Sequence, residues 1–212
     1  MKENLSIFWN NFYRFPKYIL FHPFDGYEEM KRYKKGKLSV AIILMAVFGI
    51  YIVVSDQYRG YLINDTNPLL SNSLLTFISV FLIFALFVVG NWSITTLISG
   101  KGSFKDIVMV LGYSLWPIII IGFPSVLISN FLTTEEMAFY QILQIIGYVA
   151  MGWMIFTGLI SAHQYGVWKT ILSLILTVIA IAVMLFIALL FFDIVKQITS
   201  FISQIFQELR LR

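Results

Sequence analysis

The fold is decided by the stretch Asn91-Trp-Ser-Ile-Thr-Thr-Leu-Ile-Ser-Gly-Lys-Gly-Ser-Phe-Lys-Asp106, which continues through Val110-Leu-Gly-Tyr-Ser-Leu-Trp-Pro-Ile118. It joins the end of one long apolar segment to the whole of the next through a short polar turn at 99–106. Two apolar segments joined in this way predict a helical hairpin that crosses a bilayer twice, since a helix satisfies its own backbone in lipid. Only this stretch has several polar residues, glycines and prolines within the predicted membrane region. We therefore expect this hairpin to be the structural centre of the chain.

Composition assigns the whole chain to the membrane class. Of its 212 residues, 59% are hydrophobic and only 12% are charged, whereas a soluble domain carries roughly 25% charged residues. The chain has no cysteine. Disulfides, thiolate metal sites and cysteine nucleophiles are therefore excluded.

Five apolar runs are each long enough to cross about 30 Å of hydrocarbon. The predicted spans are 38–54, 74–97, 107–128, 137–160 and 170–192. The expected fold class is all-α: a polytopic membrane protein with five transmembrane helices plus amphipathic interfacial helices at both termini. The predicted division is a cytoplasmic interfacial helix and basic pre-membrane segment at 1–37, a five-helix transmembrane domain at 38–192, and an extracytoplasmic amphipathic tail at 193–212.

The two ends of the chain have an interfacial pattern. Residues 5–21 mix aromatic side chains with Asn10, Asn11, Arg14 and Lys17, which suits a helix in the headgroup zone. In the tail, apolar residues recur at spacings of three and four from Ile194 onward, so they form one stripe on a helix. The tail is therefore predicted as an interfacial helix, with a partner-binding helix as the alternative.

Lysine and arginine set the predicted orientation. A basic cluster lies directly before the first span and is expected to anchor the chain at the membrane surface. Its members are Lys31, Arg32, Lys34, Lys35 and Lys37. The turns at 99–106 and 161–169 add cations on the same side. Because the side richer in lysine and arginine faces the cytoplasm, we expect a multi-pass protein of the cell membrane with a cytoplasmic N-terminus and an extracytoplasmic C-terminus.

The sequence offers little chemistry. All acidic and basic residues lie outside the five predicted apolar cores. This disfavours a proton-driven transporter, which places ionisable groups within its spans, but leaves a pathway for a neutral solute open. His22 and His163 show no metal-site spacing. The segment Gly100-Lys-Gly-Ser103 is no phosphate loop, because Thr95 stands where that motif needs glycine. We expect no catalytic residues, no cofactor and no metal.

Features that favour helix packing are more frequent. Small residues stand four apart in three pairs, which allows close approach of helices. The pairs are Gly158 and Ala162, Ser125 and Ser129, and Ser173 and Thr177. Pro117 and Pro124 each free a backbone carbonyl in the third span, and the sequence suggests Asn91 as one partner for these groups. A kinked packing helix is the favoured interpretation, with a gating element as the alternative.

Residues 101–121 resemble the hallmark of the Yip family, the Ypt/Rab-interacting membrane proteins. That hallmark is a Gly/Lys turn, then Phe, then a span with Gly-Tyr-Ser-Leu-x-Pro, matched here by Lys101-Gly-Ser-Phe104 and Gly112-Tyr-Ser-Leu-Trp-Pro117. The resemblance covers Pro23 to Phe192. In place of the Asp-Leu-Tyr-Gly-Pro segment of eukaryotic members, the chain has His22-Pro-Phe-Asp-Gly-Tyr-Glu-Glu-Met-Lys-Arg-Tyr33. This segment is similar to that of bacterial members.

The resemblance implies a non-catalytic membrane protein of bacterial type, since bacterial relatives often accompany ABC transporter components. The leading hypothesis is an accessory or scaffold protein that binds another integral membrane protein, with ABC transporter subunits and the lipid bilayer as partners. A small channel or transporter for a neutral solute and a membrane-shaping or trafficking-type protein are the alternatives. Nucleic acid is not an expected partner, and homo-oligomerisation stays open. The predicted partner or packing face comprises Asn91, Trp92, Gly100, Lys101, Gly102, Gly112, Tyr113 and Pro117.

Overall fold

The computed structural model describes residues 6, 8–64, 67 and 71–211, with side chains as far as 207. A π-helical turn at Asn10–Arg14 leads into eight helices. They are α1 (Phe15–Phe21), α2 (Pro23–Arg32), α3 (Leu38–Tyr58), α4 (Ser73–Leu97), α5 (Phe104–Ser114), α6 (Trp116–Ser129), α7 (Met137–His163) and α8 (Val167–Leu211). The described residues contain no strand. The all-α fold class is confirmed, and five segments are long and apolar enough to cross a membrane.

The third span lies at the centre and is built from two helices. Ser103 caps α5 through a capping box with Asp106, and the helix stops at Leu115 because Pro117 has no amide proton to continue it. Helix α6 then begins at Trp116. This broken span is 67% buried over its most apolar window, since α3 and α7 pack on it from different sides.

Helices α4 and α8 pack against each other at the periphery of the bundle. Over its apolar window α8 is only 6% buried. Most of its surface therefore faces outward, where in a membrane it meets lipid or another protein.

Helix α8 runs for 45 residues without a break, a length of about 67 Å. The predicted division placed a span at 170–192 and a separate tail at 193–212. In the structure the tail instead continues the fifth helix through Leu211. The reason is local, since no glycine or proline lies between Val167 and Leu211 to end the helix. The apolar side chains of the tail are exposed.

The N-terminal helices are docked onto the bundle and are not merely laid on its surface. Ile19, Tyr27 and Met30 are at most 2% exposed, because α1 packs on α2 and α2 packs on the end of α7. The opposite side of α2 stays polar and carries an ion pair of 3.0 Å between Glu28 and Arg32. The buried side of α2 was not predicted from the sequence. Residues 1–5 and 7 of the predicted interfacial segment lie outside the described residues.

Candidate functional site

The turn between α4 and α5 is held against the turn between α7 and α8. Ser99 adopts a positive φ of 60°, and the amide of Gly100 donates to the carbonyl of Thr95 at 2.7 Å. A side-chain carbon on Gly100 would lie 2.6 Å from the Tyr165 hydroxyl, and one on Gly102 would lie 2.7 Å from the His163 ring. Both positions therefore require glycine because two aromatic rings fill the adjacent space.

His163 joins these turns through its ring. The Gly102 amide donates to His163 Nδ1 at 3.2 Å, and the ring stacks on Tyr165 with centroids 5.3 Å apart. Nδ1 accepts this bond, so the proton of the neutral ring is on Nε2. That atom is buried without a hydrogen-bond partner. The sequence around His163 shows no metal-site spacing and indicates no role for the ring. Gly102, which donates to the ring, is 61 residues away along the chain, so no local spacing could have revealed this contact.

Lys31 connects α2 to both turns. Its ammonium donates to the carbonyl of Lys101 at 3.2 Å and to the carbonyl of Ala162. Burial lowers the pKa of this ammonium, Lys101 lowers it further, and Asp106 opposes the shift. Lys31 therefore caps two backbone acceptors where α2 meets the two turns. The other members of the predicted surface anchor, which are Arg32, Lys34, Lys35 and Lys37, are exposed.

Tyr27 fixes α2 to the third span. Its hydroxyl lies 2.7 Å from the Ser114 hydroxyl. Ser114 donates its own proton to the carbonyl of Val110 at 2.7 Å, so Tyr27 is the donor in their contact. Burial raises the pKa of the Tyr27 hydroxyl, which keeps it neutral. This bond could not be predicted from the sequence, because 87 residues separate the partners.

Four residues of the predicted partner or packing face lie inside the bundle. A side-chain carbon on Gly112 would lie 2.6 Å from the carbonyl oxygen of Ala41, so α5 and α3 are in close contact there. Tyr113 is fully buried, and Pro117 lies at the buried start of α6. Asn91 is also fully buried and donates to Thr177 Oγ1 at 3.1 Å. Asn91 thus joins α4 to α8. The sequence suggested that Asn91 bonds to the carbonyls freed by the prolines, but this hydrogen bond is donated to Thr177.

The other four residues of that face lie at or near the surface. Lys101 is exposed, and Gly100 and Gly102 are half-buried in the turn. Trp92 is 44% exposed and packs edge-on against Phe104 with centroids 6.1 Å apart. The structure therefore separates the predicted face into an interior packing set and a surface set. The surface set, together with Lys31, forms the candidate docking end of the protein.

A pocket of about 350 Å³ opens beside this end. It lies between α2 and the last turn of α7, and its lining has both charges. The lining residues are Glu28, Lys31, Arg32, Ile160, Ser161, Gln164 and Tyr165. The sequence did not predict this pocket.

Among the described residues no group of three or more metal-ligating side chains is found.

These features define a polytopic α-helical membrane protein whose non-membrane helices lock two turns together at one end. Residues 17–190 match the Yip1 domain, so the chain belongs to the Yip1 domain family. The resemblance stated for Pro23 to Phe192 is thereby confirmed. The Yip membrane domain is not a known enzyme family. No curated protein and no solved structure shows a match.

Proposed function

We propose that this Yip1-family protein is a non-catalytic accessory or scaffold subunit that binds another integral membrane protein. The observation that carries the proposal is the outward face of α8, which is only 6% buried over its spanning window. Lipid tails are as apolar as these side chains, so exposure alone does not drive association. Association of membrane helices is driven by close packing and by interhelical hydrogen bonds, and both require a helix face that is not already covered.

The polar groups at membrane depth favour a scaffold over a channel. Asn91 bonds to Thr177 between helices, and Tyr51 donates to Gln144 Oε1 at 2.8 Å. Ser125 instead donates to the carbonyl of Ile121 in its own helix. The bonds donated by Asn91 and Tyr51 hold helices together, and all three donor groups are engaged, so these donors are not free to line a pathway for a neutral solute.

We further propose that the partner is a component of an ABC transporter system. This identification rests on the resemblance of His22–Tyr33 to bacterial members of the family, which often accompany such components. The protein would then lie in a bacterial cell membrane, with the docking end, which comprises Lys31, Trp92 and residues 100–102, in the cytoplasm. There it is placed to meet the cytoplasmic parts of a transporter.

Co-purification tests the proposed partnership. The full chain is expressed with the membrane proteins of its gene neighbourhood and extracted in mild detergent. We expect the Val178→Trp/Ala182→Trp double variant to lose the partner, because both residues are exposed on one face of α8. The matched control is Ile145→Trp/Val149→Trp, which places two tryptophans at exposed positions of α7. A chain that always elutes alone would overturn the proposal, and equal retention by both variants would remove α8 as its docking face.

The proposed orientation has its own test. The chain lacks cysteine, so a single introduced thiol reports without background. In intact cells we expect a membrane-impermeant maleimide to label Glu135→Cys, on the loop before α7, and to leave Lys105→Cys unlabelled until the cells are opened. Both positions are exposed, and the excess of lysine and arginine places only the second in the cytoplasm. The reverse labelling pattern would refute the orientation.

A further inference from the structure

A polar cluster lies at the end of the bundle opposite the docking end, where α3 finishes and α7 begins. On α3, Tyr51 and Ser55 stand four residues apart, and Arg59 follows four residues later, just past the helix end. Residues at this spacing share one side of a helix. Arg59 Nη2 donates to the Ser55 hydroxyl at 2.6 Å. The guanidinium is therefore folded back toward the bundle.

Helix α7 contributes a second row of polar side chains to the same cluster. Tyr140, Gln144 and Tyr148 again stand four apart. The Arg59 guanidinium carbon lies 5.9 Å from the centre of the Tyr140 ring, and Tyr51 donates to Gln144 Oε1 at 2.8 Å. Because the two helices run in opposite directions, Arg59 contacts Tyr140 at the start of the α7 row, and Tyr51 contacts Gln144 in the middle of that row.

Helix α6 lies beneath the two rows of polar side chains, since α3 and α7 both pack on it. A side-chain carbon on Gly122 would lie 2.4 Å from the Tyr51 ring, so the ring rests on the α6 backbone. Tyr148 is 42% exposed. Helix α6 therefore closes one side of the cluster, and Tyr148 on α7 is partly exposed.

Two hydrogen-bond donors in this cluster have no acceptor. Arg59 Nε and Gln144 Nε2 are both buried and unpartnered. No ion pair among the described residues neutralises Arg59. A buried donor without an acceptor is costly, and one attached to a cation is more so. Two such donors beside a positive charge without an ion pair call for an anionic acceptor that none of the described residues supplies.

We propose that this cluster binds a phosphate group, with Arg59 and Gln144 as its principal donors. Guanidinium pairs with phosphate through two parallel hydrogen bonds, and the Gln144 amide adds a neutral donor. The position suits the headgroup of a phospholipid. Helix α3 has 21 residues and so spans about 31 Å, which places Arg59 at the edge of the hydrocarbon. Exposed apolar residues of α7 near Tyr148, including Ile145 and Val149, adjoin the site for the acyl chains.

The test measures ligand binding by the full chain in detergent, by native mass spectrometry and by the shift in melting temperature. The probes are phosphatidylglycerol, diacylglycerol as the analogue without phosphate, and inorganic phosphate. We expect phosphatidylglycerol but not diacylglycerol to bind and stabilise the protein. Arg59→Met should weaken that binding roughly tenfold or more, as expected for a lost charge-assisted bond. Arg59→Lys should restore only part of it.

The matched control is Lys105→Met, which removes an exposed cation at the other end of the bundle. It should bind phosphatidylglycerol as the wild type does. Stabilisation by inorganic phosphate that is lost in Arg59→Met would support the phosphate site and identify its ligand as soluble. The proposal is overturned if no phosphate compound binds, or if Arg59→Met and Lys105→Met bind phosphatidylglycerol equally. Water alone would then satisfy the two donors. These lipid-binding measurements do not test whether α8 binds another membrane protein.

Discussion

Replacing Gly112 with alanine is expected to destabilise the protein, whereas the same replacement at Gly152 is expected to be neutral or stabilising. At Gly112 the new carbon would lie 2.6 Å from both the Cβ atom and the carbonyl oxygen of Ala41. The obstacle is largely backbone, so α3 and α5 must move apart, and overpacking of this kind costs roughly 1–3 kcal/mol or more. At Gly152 nothing lies within 4 Å, and alanine favours a helix over glycine by about 1 kcal/mol.

Thermal unfolding in mild detergent compares the two variants, and their effects should have opposite signs. Gly112→Leu should be the more severe change and should also reduce the amount of folded protein in the membrane. Equal melting temperatures for Gly112→Ala and Gly152→Ala would contradict the close contact between α3 and α5. Since both changes add the same carbon inside a helix, a difference in helix propensity could not account for opposite signs.

Truncating Tyr27 to alanine is expected to release α2 from the bundle. The ring is 1% exposed, and losing a large buried aromatic side chain costs roughly 3–5 kcal/mol. Tyr27→Phe should cost only about 1 kcal/mol, since it removes one hydrogen bond and Ser114 keeps its bond to the carbonyl of Val110. The readouts are melting temperature and the rate of tryptic cleavage among the basic residues that follow α2.

Tyr33→Ala is the matched control, because Tyr33 lies just after α2 and is 71% exposed. It should change neither stability nor cleavage. If Tyr27→Ala behaved like this control, α2 would be a surface helix that is not docked onto the bundle. A large loss in Tyr27→Phe would instead show that the hydroxyl contributes more than a single hydrogen bond.

The spans and the central hairpin could be predicted because they depend on local sequence. Apolar length indicates a membrane helix, the Gly-Lys-Gly turn separates two of them, and Ser103 with Asp106 three residues later is a readable helix start. The break before Pro117 follows from the missing amide proton. The family likeness rested on the same local features.

The long-range contacts could not be predicted in this way. Lys31 resembles its exposed neighbours in sequence, yet it reaches carbonyls that lie 70 and 131 residues away. Tyr27 sits among charged residues, so its burial depends on Gly158 and Ser114 in other helices. The continuous α8 is a different case. Its lack of any glycine or proline was visible, but the change from an apolar to an amphipathic pattern at Asp193 suggested a boundary that the backbone does not have.

Photo-crosslinking from α8 in native membranes tests the central claim, that this protein binds another membrane protein through the outward face of that helix. A photoreactive amino acid replaces Val178 on α8 or, as the control, Val149 on α7, which are 67% and 65% exposed. We predict a covalent adduct with an integral membrane protein from position 178, identified by mass spectrometry as an ABC transporter component, and lipid adducts from position 149. Lipid adducts alone from both positions would contradict the account.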